Sequence, residues 1–324
     1  MSHVKNVAIV GATGSVGSYI VDEILKAGKH QVTAITRQAS TAVMPDGVKV
    51  AKVDYADHSS LVAALRGQDV LIITMSVQAP KEAQLKLVDA AADAGVRWVL
   101  PNEWGLDQTN EALADGAFMG PPSRAVRKHI EDRGVSSWIG VVCGFWYDFS
   151  LGGSLARYGF DFGNRSVTLF DDGTQPINTT TFPQVGRAVA RLLALPREGS
   201  AESEGQGKKK GSLADFRNGF VYISSFCVSQ KDMLESALRV TGTTLEDWTV
   251  RREGSAERYE KGLQMMKGGN MGGFVQAMYT HTFFPNDDGA YEKSRGLHNE
   301  LLGLPVEDLD EFTKLAITRK DDKY

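Results

Sequence analysis

Three glycines near the start of the chain have the spacing of a phosphate-binding turn. They are Gly11, Gly14 and Gly17, within VAIVGATGSVGSYIVDEIL at residues 7–25. Gly11 lets the chain turn sharply off a strand, Gly14 lets a phosphate approach bare backbone, and Gly17 lets the next helix pack close to the sheet. The free N–H groups and the positive dipole end of that helix attract a pyrophosphate. We therefore predict a dinucleotide site with contacts from Gly11, Thr13, Gly14, Ser15, Val16 and Gly17.

The context of these glycines separates a nucleotide site from a plain turn between a strand and a helix. Their spacing is G-x-x-G-x-x-G, whereas the commonest dinucleotide motif is G-x-G-x-x-G. An apolar run from Val7 to Val10 predicts a buried strand before the turn, and an amphipathic helix opens at Ser15 or Val16. This arrangement favours nucleotide binding.

The residue that ends the second predicted strand distinguishes between two dinucleotides. The strand QVTAITR, residues 31–37, ends on Arg37. NAD-specific sites usually place Asp or Glu here, because a carboxylate accepts hydrogen bonds from the ribose 2′-hydroxyl. A guanidinium pairs instead with a 2′-phosphate. An exposed arginine with no ligand is the alternative, but Arg37 favours NADP(H) over NAD(H).

The ends of further strands supply the remaining cofactor contacts, since ligands bind at the carboxyl edge of a parallel sheet. Asp54 closes the third predicted strand and is placed to reach the adenine edge. Thr74, Met75 and Ser76 end the fourth strand and are expected to line the ribose and nicotinamide side. Asn102 follows the fifth strand and joins them.

Strand and helix signals alternate through the first half of the chain. Apolar runs between helices predict a parallel sheet covered on both faces. We therefore predict an α/β fold, a Rossmann doubly wound parallel sheet, with residues 1–150 as an NADP(H)-binding domain.

Beyond about residue 147 this alternation is lost, and glycine and aromatic residues become frequent. Residues 151–324 are predicted to form a smaller α/β substrate-binding lobe. The polar, glycine-rich segment at about 198–212 is predicted to be a mobile surface loop. Methionine and aromatic residues at 265–284 are typical of a core, and they also suit an adaptable apolar substrate wall.

Composition excludes several classes of protein. A net charge of −4 gives no reason to expect nucleic acid or an anionic membrane as partner. No apolar run approaches the length of a membrane span, and the first residues leave no space for a signal peptide. The two cysteines suggest neither a disulfide framework nor a metal cluster. We expect a cytoplasmic monomer or homodimer that binds no metal and acts on a small molecule.

Several motifs together carry a family resemblance. GATGSVG, Arg37, LPNEWGLD at residues 100–107 and VRKHIE at residues 126–131 resemble the NmrA-like and isoflavone-reductase-like branch of atypical short-chain dehydrogenases. The composition is also similar to that of fungal oxidoreductases of secondary metabolism. The resemblance implies a Rossmann domain that binds NADPH and a variable lobe that selects a phenolic or heterocyclic substrate.

The chain departs from this family at one position. Its reductases carry a lysine three residues before the Val/Ile-Arg-Arg-x-Ile-Glu run, where it polarises the reacting oxygen or relays a proton. The corresponding residue here is Ser123. A serine donates a hydrogen bond but supplies no cationic acid, and it is also a common helix N-cap. The Tyr-x-x-x-Lys pair of ordinary short-chain dehydrogenases is absent as well.

Hydride transfer needs a donor for the charge that develops on the acceptor. The candidate donors at the sheet edge are Asn102, Ser123, Arg124 and Tyr147, and His281 in the second lobe is a candidate general acid. A histidine among aromatic residues is also often structural.

Three further polar residues close to these candidates have less specific roles. Glu103 either sits beside the pocket or fixes a turn. Lys128 is expected to face solvent, and His129 is either buried or on the surface.

Three functions remain open from the sequence. The first is an NADPH-dependent reductase of an aromatic or polyketide-like molecule that uses a hydroxyl donor in place of lysine. The second is a regulator that senses NADP(H) without turnover. The third is an enzyme that keeps NADP(H) bound while it catalyses a non-redox step.

Overall fold

The computed structural model describes residues 3–76, 79–199 and 211–319. Most of the predicted loop at 198–212 lies outside the described residues. Seven parallel strands form the main sheet in the order β11-β6-β5-β4-β1-β2-β3. They are β1 (Asn6–Val10), β2 (Gln31–Arg37), β3 (Val48–Val53), β4 (Val70–Ile73), β5 (Trp98–Leu100), β6 (Ser137–Val142) and β11 (Gly219–Tyr222). This confirms the predicted Rossmann fold.

Helices cover both faces of this sheet because the central strands β1, β4 and β5 are buried on both sides. In β1, Val7 and Ile9 face one layer of the core, while Ala8 and Val10 face the other. Helices α1 and α7 pack against each other and contribute to the first layer, and α2, α3 and α5 contribute to the second. The helices of this domain are α1 (Ser15–Ala27), α2 (His58–Leu65), α3 (Lys81–Asp93), α4 (Glu111–Gly116), α5 (Gly120–Arg133) and α7 (Phe182–Leu193).

The second lobe contains two small sheets, each of three strands. Their orders are β12-β10-β7 and β13-β9-β8. The strands are β7 (Phe145–Trp146), β8 (Phe160–Asp161), β9 (Ser166–Phe170), β10 (Ile177–Thr180), β12 (Phe226–Val228) and β13 (Thr249–Glu253). The helices are α6 (Tyr147–Ser150), α8 (Gln230–Thr241), α9 (Ser255–Lys267), α10 (Gly272–Thr282), α11 (Glu292–Arg295) and α12 (Leu309–Thr318). No described helix is both long and apolar enough to cross a membrane.

Two elements from the second half of the sequence join the first domain. Strand β11 pairs with β6 at the edge of the main sheet, and α7 packs along α1. The division at residue 150 stays a prediction, but the fold shows that the first domain is completed only by residues far beyond it. The chain therefore crosses between the two domains more than once.

The methionine and aromatic residues near the C-terminus divide between core and surface. Tyr279 and Phe283 are buried in the core of the second lobe, with Met278 packed against them. Met271, in contrast, is 71% exposed. The prediction that the methionine and aromatic residues at 265–284 form a core therefore holds for part of this segment.

Helices α1 and α7 approach each other closely at one glycine. A Cβ atom on Gly186 would lie only 2.4 Å from the carbonyl oxygen of Tyr19. Beside this point the rings of Tyr19 and Phe182 stack with their centroids 5.6 Å apart. Backbone contact therefore sets the distance between these two helices.

We predict that Gly186→Val will destabilise the protein by about 1–3 kcal/mol, because the added side chain forces α7 away from α1. The free energy of unfolding in urea measures this loss. Gly268→Ala is the matched control, since the nearest atom to its added Cβ is 3.4 Å away. Equal effects of the two substitutions would show that the α1–α7 distance is not constrained in this way.

Candidate functional site

A cavity of about 900 Å³ opens at the carboxyl ends of β1 to β4. Its described lining residues are 10–14, 35–40, 42, 44, 53–55, 74–76, 79, 80 and 83. They include these predicted cofactor contacts: Gly11, Thr13, Gly14, Arg37, Asp54, Thr74, Met75 and Ser76. Three of the predicted contacts are not among the described residues that line the cavity. They are Ser15, Val16 and Gly17, which form the first turn of α1. The structure thus brings most of the predicted contacts into one cleft.

The glycine turn at the end of β1 is packed without free space on its inner side. Gly11 has a φ of +83°, and a Cβ there would lie 2.0 Å from the carbonyl oxygen of Thr74. A Cβ on Gly17 would lie 2.0 Å from the carbonyl oxygen of Gly11. The Thr74 hydroxyl donates to the carbonyl of Val10 at 2.8 Å. Neither Gly11 nor Gly17 can therefore carry a side chain without a shift of the backbone.

Gly14 has a different environment from the other two glycines. A Cβ at this position would meet only the carbonyl oxygen of Gly11, at 3.2 Å. Gly14 is the N-cap of α1 and lines the cavity, and the first turn of the helix carries no acidic side chain. The open side of Gly14 therefore forms a cradle for a phosphate, and an added Cβ would occupy part of that space. A cradle at a helix N-terminus fits the pyrophosphate of a dinucleotide.

Arg37 is exposed at the far side of the cavity. No carboxylate among the described residues forms an ion pair with its guanidinium, which leaves it available to an anion. The ring of Tyr55 lies nearby: burial raises the pKa of its hydroxyl, and the positive charge of Arg37 opposes that rise. This end of the cavity therefore combines a free cation with an aromatic ring.

Asp54 lines the same end of the cavity, but one of its oxygens is already engaged. Its Oδ1 accepts a hydrogen bond from the backbone N–H of Ala56 at 2.8 Å, in a turn that follows β3. The other carboxylate oxygen is the one left to meet a ligand.

Asn102 holds a wall of the cavity in place. Its Oδ1 accepts from the backbone N–H of Met75 at 3.1 Å, and its Nδ2 donates to the carbonyl of Met75, also at 3.1 Å. The backbone N–H of Asn102 in turn donates to Oε1 of Gln84 at 2.7 Å. The side chain thus continues the pairing between β4 and β5 beyond the ends of both strands, and it positions Met75.

Glu103 lies beneath this wall, between the sheet and α5. It is 4% exposed and forms an ion pair with Arg127, whose guanidinium lies 5.2 Å from the ring centroids of both Trp138 and Phe220. Burial raises the pKa of the Glu103 carboxyl to about 7, although the charge of Arg127 and the hydroxyl of Ser123 both oppose that rise. Sequence reasoning left the role of Glu103 open, and only its burial reveals the altered acidity.

The remaining candidate donors do not line the described cavity. The Tyr147 hydroxyl is fully buried in the second lobe and shares a hydrogen bond with Thr313 at 2.6 Å. The Nε2 atom of His281 lies 3.2 Å from the carbonyl of Ala112, and its ring occupies the space beside Gly116. The structure therefore places both side chains at packing contacts away from the cleft, and a catalytic role for them stays a prediction.

Side chains on α5 divide between the protein surface and the sheet. Arg124 pairs with Asp115 at 2.7 Å, and Lys128 pairs with Asp132 at 2.7 Å in solvent. Ser123 is half-buried on the same side of the helix as Arg127. Of these residues, Ser123 is the one whose hydroxyl acts on Glu103.

Sequence reasoning missed part of the cavity lining. The missed residues include Gln38, Ala39, Ser40, Ala42, Met44, Tyr55, Ala79, Pro80 and Ala83. Most of them lie in loops that follow β2 and β4, so their position after a strand end was the available signal.

We predict that the raised pKa of Glu103 makes the protein less stable as the pH rises. The carboxyl binds its proton more tightly in the folded chain, so its contribution is complete below the ordinary pKa of 4.5 and is lost as the pH passes about 7. Glu103→Gln should flatten the decline in unfolding free energy between about pH 5 and 7. Urea unfolding at several pH values measures how the free energy of unfolding changes with pH.

The matched control for this prediction is Glu111→Gln, which removes an exposed carboxyl from the first turn of α4. This control should keep the pH dependence of the wild type. If the unfolding free energies of the wild type and Glu103→Gln had the same dependence on pH, the raised pKa of Glu103 would be contradicted.

Known proteins resemble this chain in sequence and in fold. Residues 3–150 match the model of the NmrA-like family. Oxidoreductase aprR of Aspergillus flavus is 28% identical over 310 residues, which cover 94% of this chain and 96% of that protein. That relative is an oxidoreductase by name, which agrees with the class of enzyme predicted from the sequence.

Solved structures share the fold over nearly the whole chain. A crystal structure of isoflavone reductase has a TM-score of 0.73 at 21% identity and covers 96% of this chain and 98% of its own. The complex of leucoanthocyanidin reductase with NADPH from Vitis vinifera also has a TM-score of 0.73, at 17% identity, and covers 97% of this chain and all of its own. The predicted resemblance to NmrA-like and isoflavone-reductase-like proteins is confirmed.

Proposed function

We propose that this protein is an NADPH-dependent oxidoreductase that reduces an aromatic or polyketide-like small molecule. The observation that carries this proposal is the cavity that has the glycine turn at one side and Arg37, which pairs with no described carboxylate, at the other. A dinucleotide with a 2′-phosphate has anionic groups at both places, and the first turn of α1 carries no acidic side chain to oppose the pyrophosphate.

The chain's own residues would hold the dinucleotide by distinct contacts. The backbone at Thr13 and Gly14 and the first turn of α1 receive the pyrophosphate. Arg37 pairs with the 2′-phosphate, and Tyr55 offers a face to the adenine end. Asn102 keeps Met75 in position at the opposite wall. When bound, NADPH supplies a hydride to the acceptor.

The names of relatives support the class of substrate. Isoflavone and leucoanthocyanidin, in the names of two proteins of the same fold, are aromatic compounds. In the second lobe Met271 is exposed, and Phe274, three residues further along, lies 5.5 Å from Phe118 between ring centroids; side chains of this kind suit an apolar acceptor. We assign an acceptor of this kind, from fungal secondary metabolism, to the present chain.

Stopped-flow absorbance at 340 nm tests the proposal. NADPH bound to the protein is mixed with phenolic ketones, enones and quinones, and the same mixing without an acceptor is the control. Loss of absorbance with an acceptor supports the reductase. Tight NADPH binding with no loss across the panel would overturn it.

Ser123 favours one alternative function. Because it replaces the lysine of the reductases that the sequence resembles, a regulator that binds NADP(H) without turnover is the second candidate. The same experiment separates the two, since a regulator retains the absorbance of bound NADPH. An enzyme of a non-redox step would also retain it but would convert its substrate in a product assay.

We predict that Arg37→Asp will weaken NADPH binding on the order of 10- to 100-fold and will change NADH binding far less, because only NADPH has a 2′-phosphate. Fluorescence titration of each nucleotide measures the two affinities. Lys49→Asp is the matched control, since it makes the same charge change near the start of β3, at the opposite edge of the sheet from Arg37 at the end of β2. Equal losses for NADPH and NADH would contradict the cofactor assignment.

We predict that two glycine substitutions in the turn have separable effects. Gly17→Ala should reduce the free energy of unfolding by about 1–3 kcal/mol, because its Cβ overlaps the Gly11 carbonyl. Gly14→Ala should cost less than about 1 kcal/mol but weaken NADPH binding, because its Cβ enters the phosphate cradle. Urea unfolding and fluorescence titration measure the two quantities. Normal NADPH affinity in Gly14→Ala would contradict the cradle.

A further inference from the structure

The cavity wall at Met75 lies on the other side of the glycine turn from Arg37. Strand β1, which leads into the turn, lies between β4, which leads to Met75, and β2, which ends on Arg37. A dinucleotide that has its 2′-phosphate at Arg37 and its pyrophosphate at the turn therefore continues towards Met75. We expect the nicotinamide half of the cofactor at this wall.

Backbone pairing between β4 and β5 stops just before this wall. Its last pair is Ile72 with Leu100, and the residue after Leu100 is Pro101, which has no N–H to donate. A strand that loses its donor at this point does not continue the ladder. The residues after Ile72 therefore need other hydrogen bonds to keep their place beside β5.

Two side chains supply these hydrogen bonds. The carboxamide of Asn102 accepts from the N–H of Met75 and donates to its carbonyl, each at 3.1 Å, as a neighbouring peptide group would. The indole N–H of Trp104, which is 9% exposed, donates to the carbonyl of Ile73 at 2.8 Å. The wall is therefore held by two residues that are not among the described lining residues of the cavity.

A third side chain connects the same wall to helix α3. Oε1 of Gln84 accepts from the backbone N–H of Asn102 at 2.7 Å, and Gln84 directly follows Ala83, which lines the cavity. Asn102 thus links two parts of the lining, one at Met75 and one in the first turn of α3. Because the N–H of Met75 is engaged, its half-buried apolar side chain is what this residue offers to a ligand.

We propose that Gln84, Asn102 and Trp104 are positioning residues for the nicotinamide half of the cofactor, an inference that rests on the proposed function. They act through the backbone at the end of β4 and keep the Met75 side chain in place as an apolar surface. A nicotinamide ring that packs on this surface presents its opposite face to an acceptor, which is the orientation that hydride transfer needs. Arg37, in contrast, is exposed, so the adenosine half does not depend on these three residues.

Two nucleotides that share the adenosine half test the proposal. Adenosine 2′,5′-bisphosphate has the phosphate for Arg37 but no nicotinamide, and NADP⁺ has both. Asn102→Ala should weaken NADP⁺ binding on the order of 10-fold and bisphosphate binding less than about 2-fold, because only NADP⁺ reaches the wall at Met75. Calorimetric titration of the full chain measures the affinities.

Two substitutions of Gln84 provide a second variant and its control. Gln84→Leu removes the oxygen that accepts from Asn102, and it should show the same selective loss of NADP⁺ binding. Gln84→Glu retains an accepting oxygen and should keep the wild-type affinity for both nucleotides. Gln84→Leu also carries the test if Asn102→Ala folds poorly, since binding of the bisphosphate shows that the cleft is intact.

NMR of the full chain labelled at its methionine methyl groups tests the contact at Met75, with Met75→Leu to assign the signal. Saturating NADP⁺ should shift the Met75 signal and the bisphosphate should leave it in place, because only NADP⁺ brings an aromatic ring to this wall. In Asn102→Ala the shift should be smaller, since Met75 is no longer held. A general loss of stability would not change this one signal selectively.

The outcomes separate the inference from the function on which it rests. Unchanged NADP⁺ affinity in Asn102→Ala and Gln84→Leu, an equal loss for both nucleotides, or a Met75 signal that NADP⁺ does not shift would overturn the positioning role alone. Absence of binding of both nucleotides to the wild type would overturn the proposed function and this inference with it.

Discussion

The contact between the glycine turn and β4 is the constraint on which the cleft depends. Gly11, Gly17 and Thr74 meet at a point where no Cβ fits on either glycine. The Thr74 hydroxyl reaches the carbonyls of Val10 and Gly11, and so connects the ends of β1 and β4. This contact sets the height of the first turn of α1 above the sheet. Gly14 and the helix N-terminus are thereby presented to the cavity.

Helix α1 is held from its other side by a distant part of the chain. Helix α7 packs on it through the close approach of Gly186 to Tyr19. Strand β11 extends the same sheet beyond β6, next to the layer that contains Glu103. The cofactor domain is therefore complete only when both segments from the second half are in place. Because α7 and β11 belong to the second half of the sequence, the chain itself links the cofactor domain to the second lobe at both places.

Buried carboxylates paired with arginines recur where segments distant in sequence meet. Asp107 accepts from Arg295 at 2.9 Å, and Asp148 accepts from Arg319 at 3.2 Å. These pairs attach two arginines in the C-terminal part of the chain to carboxylates in its first half. Buried ion pairs contribute little net stability, because desolvation offsets the attraction, but removal of one partner is costly. Glu103 differs from both, since its arginine lies on a neighbouring helix and its Oε1 has no hydrogen-bond partner in the part of the chain that the structure describes.

The sequence by itself determined the features that depend on local pattern. The glycine spacing, the alternation of strands and helices and the position of Arg37 follow from neighbours along the chain. The fold predicted from them is confirmed, and so is the predicted resemblance to NmrA-like proteins. Only the tertiary structure decided which side chains meet. Tyr147 and Thr313, or Glu103 and Arg127, are brought together by packing between elements, and no periodicity encodes those pairs. The shifted pKa of Glu103 belongs to this second class, because burial, which raises that pKa, is a property of the folded chain.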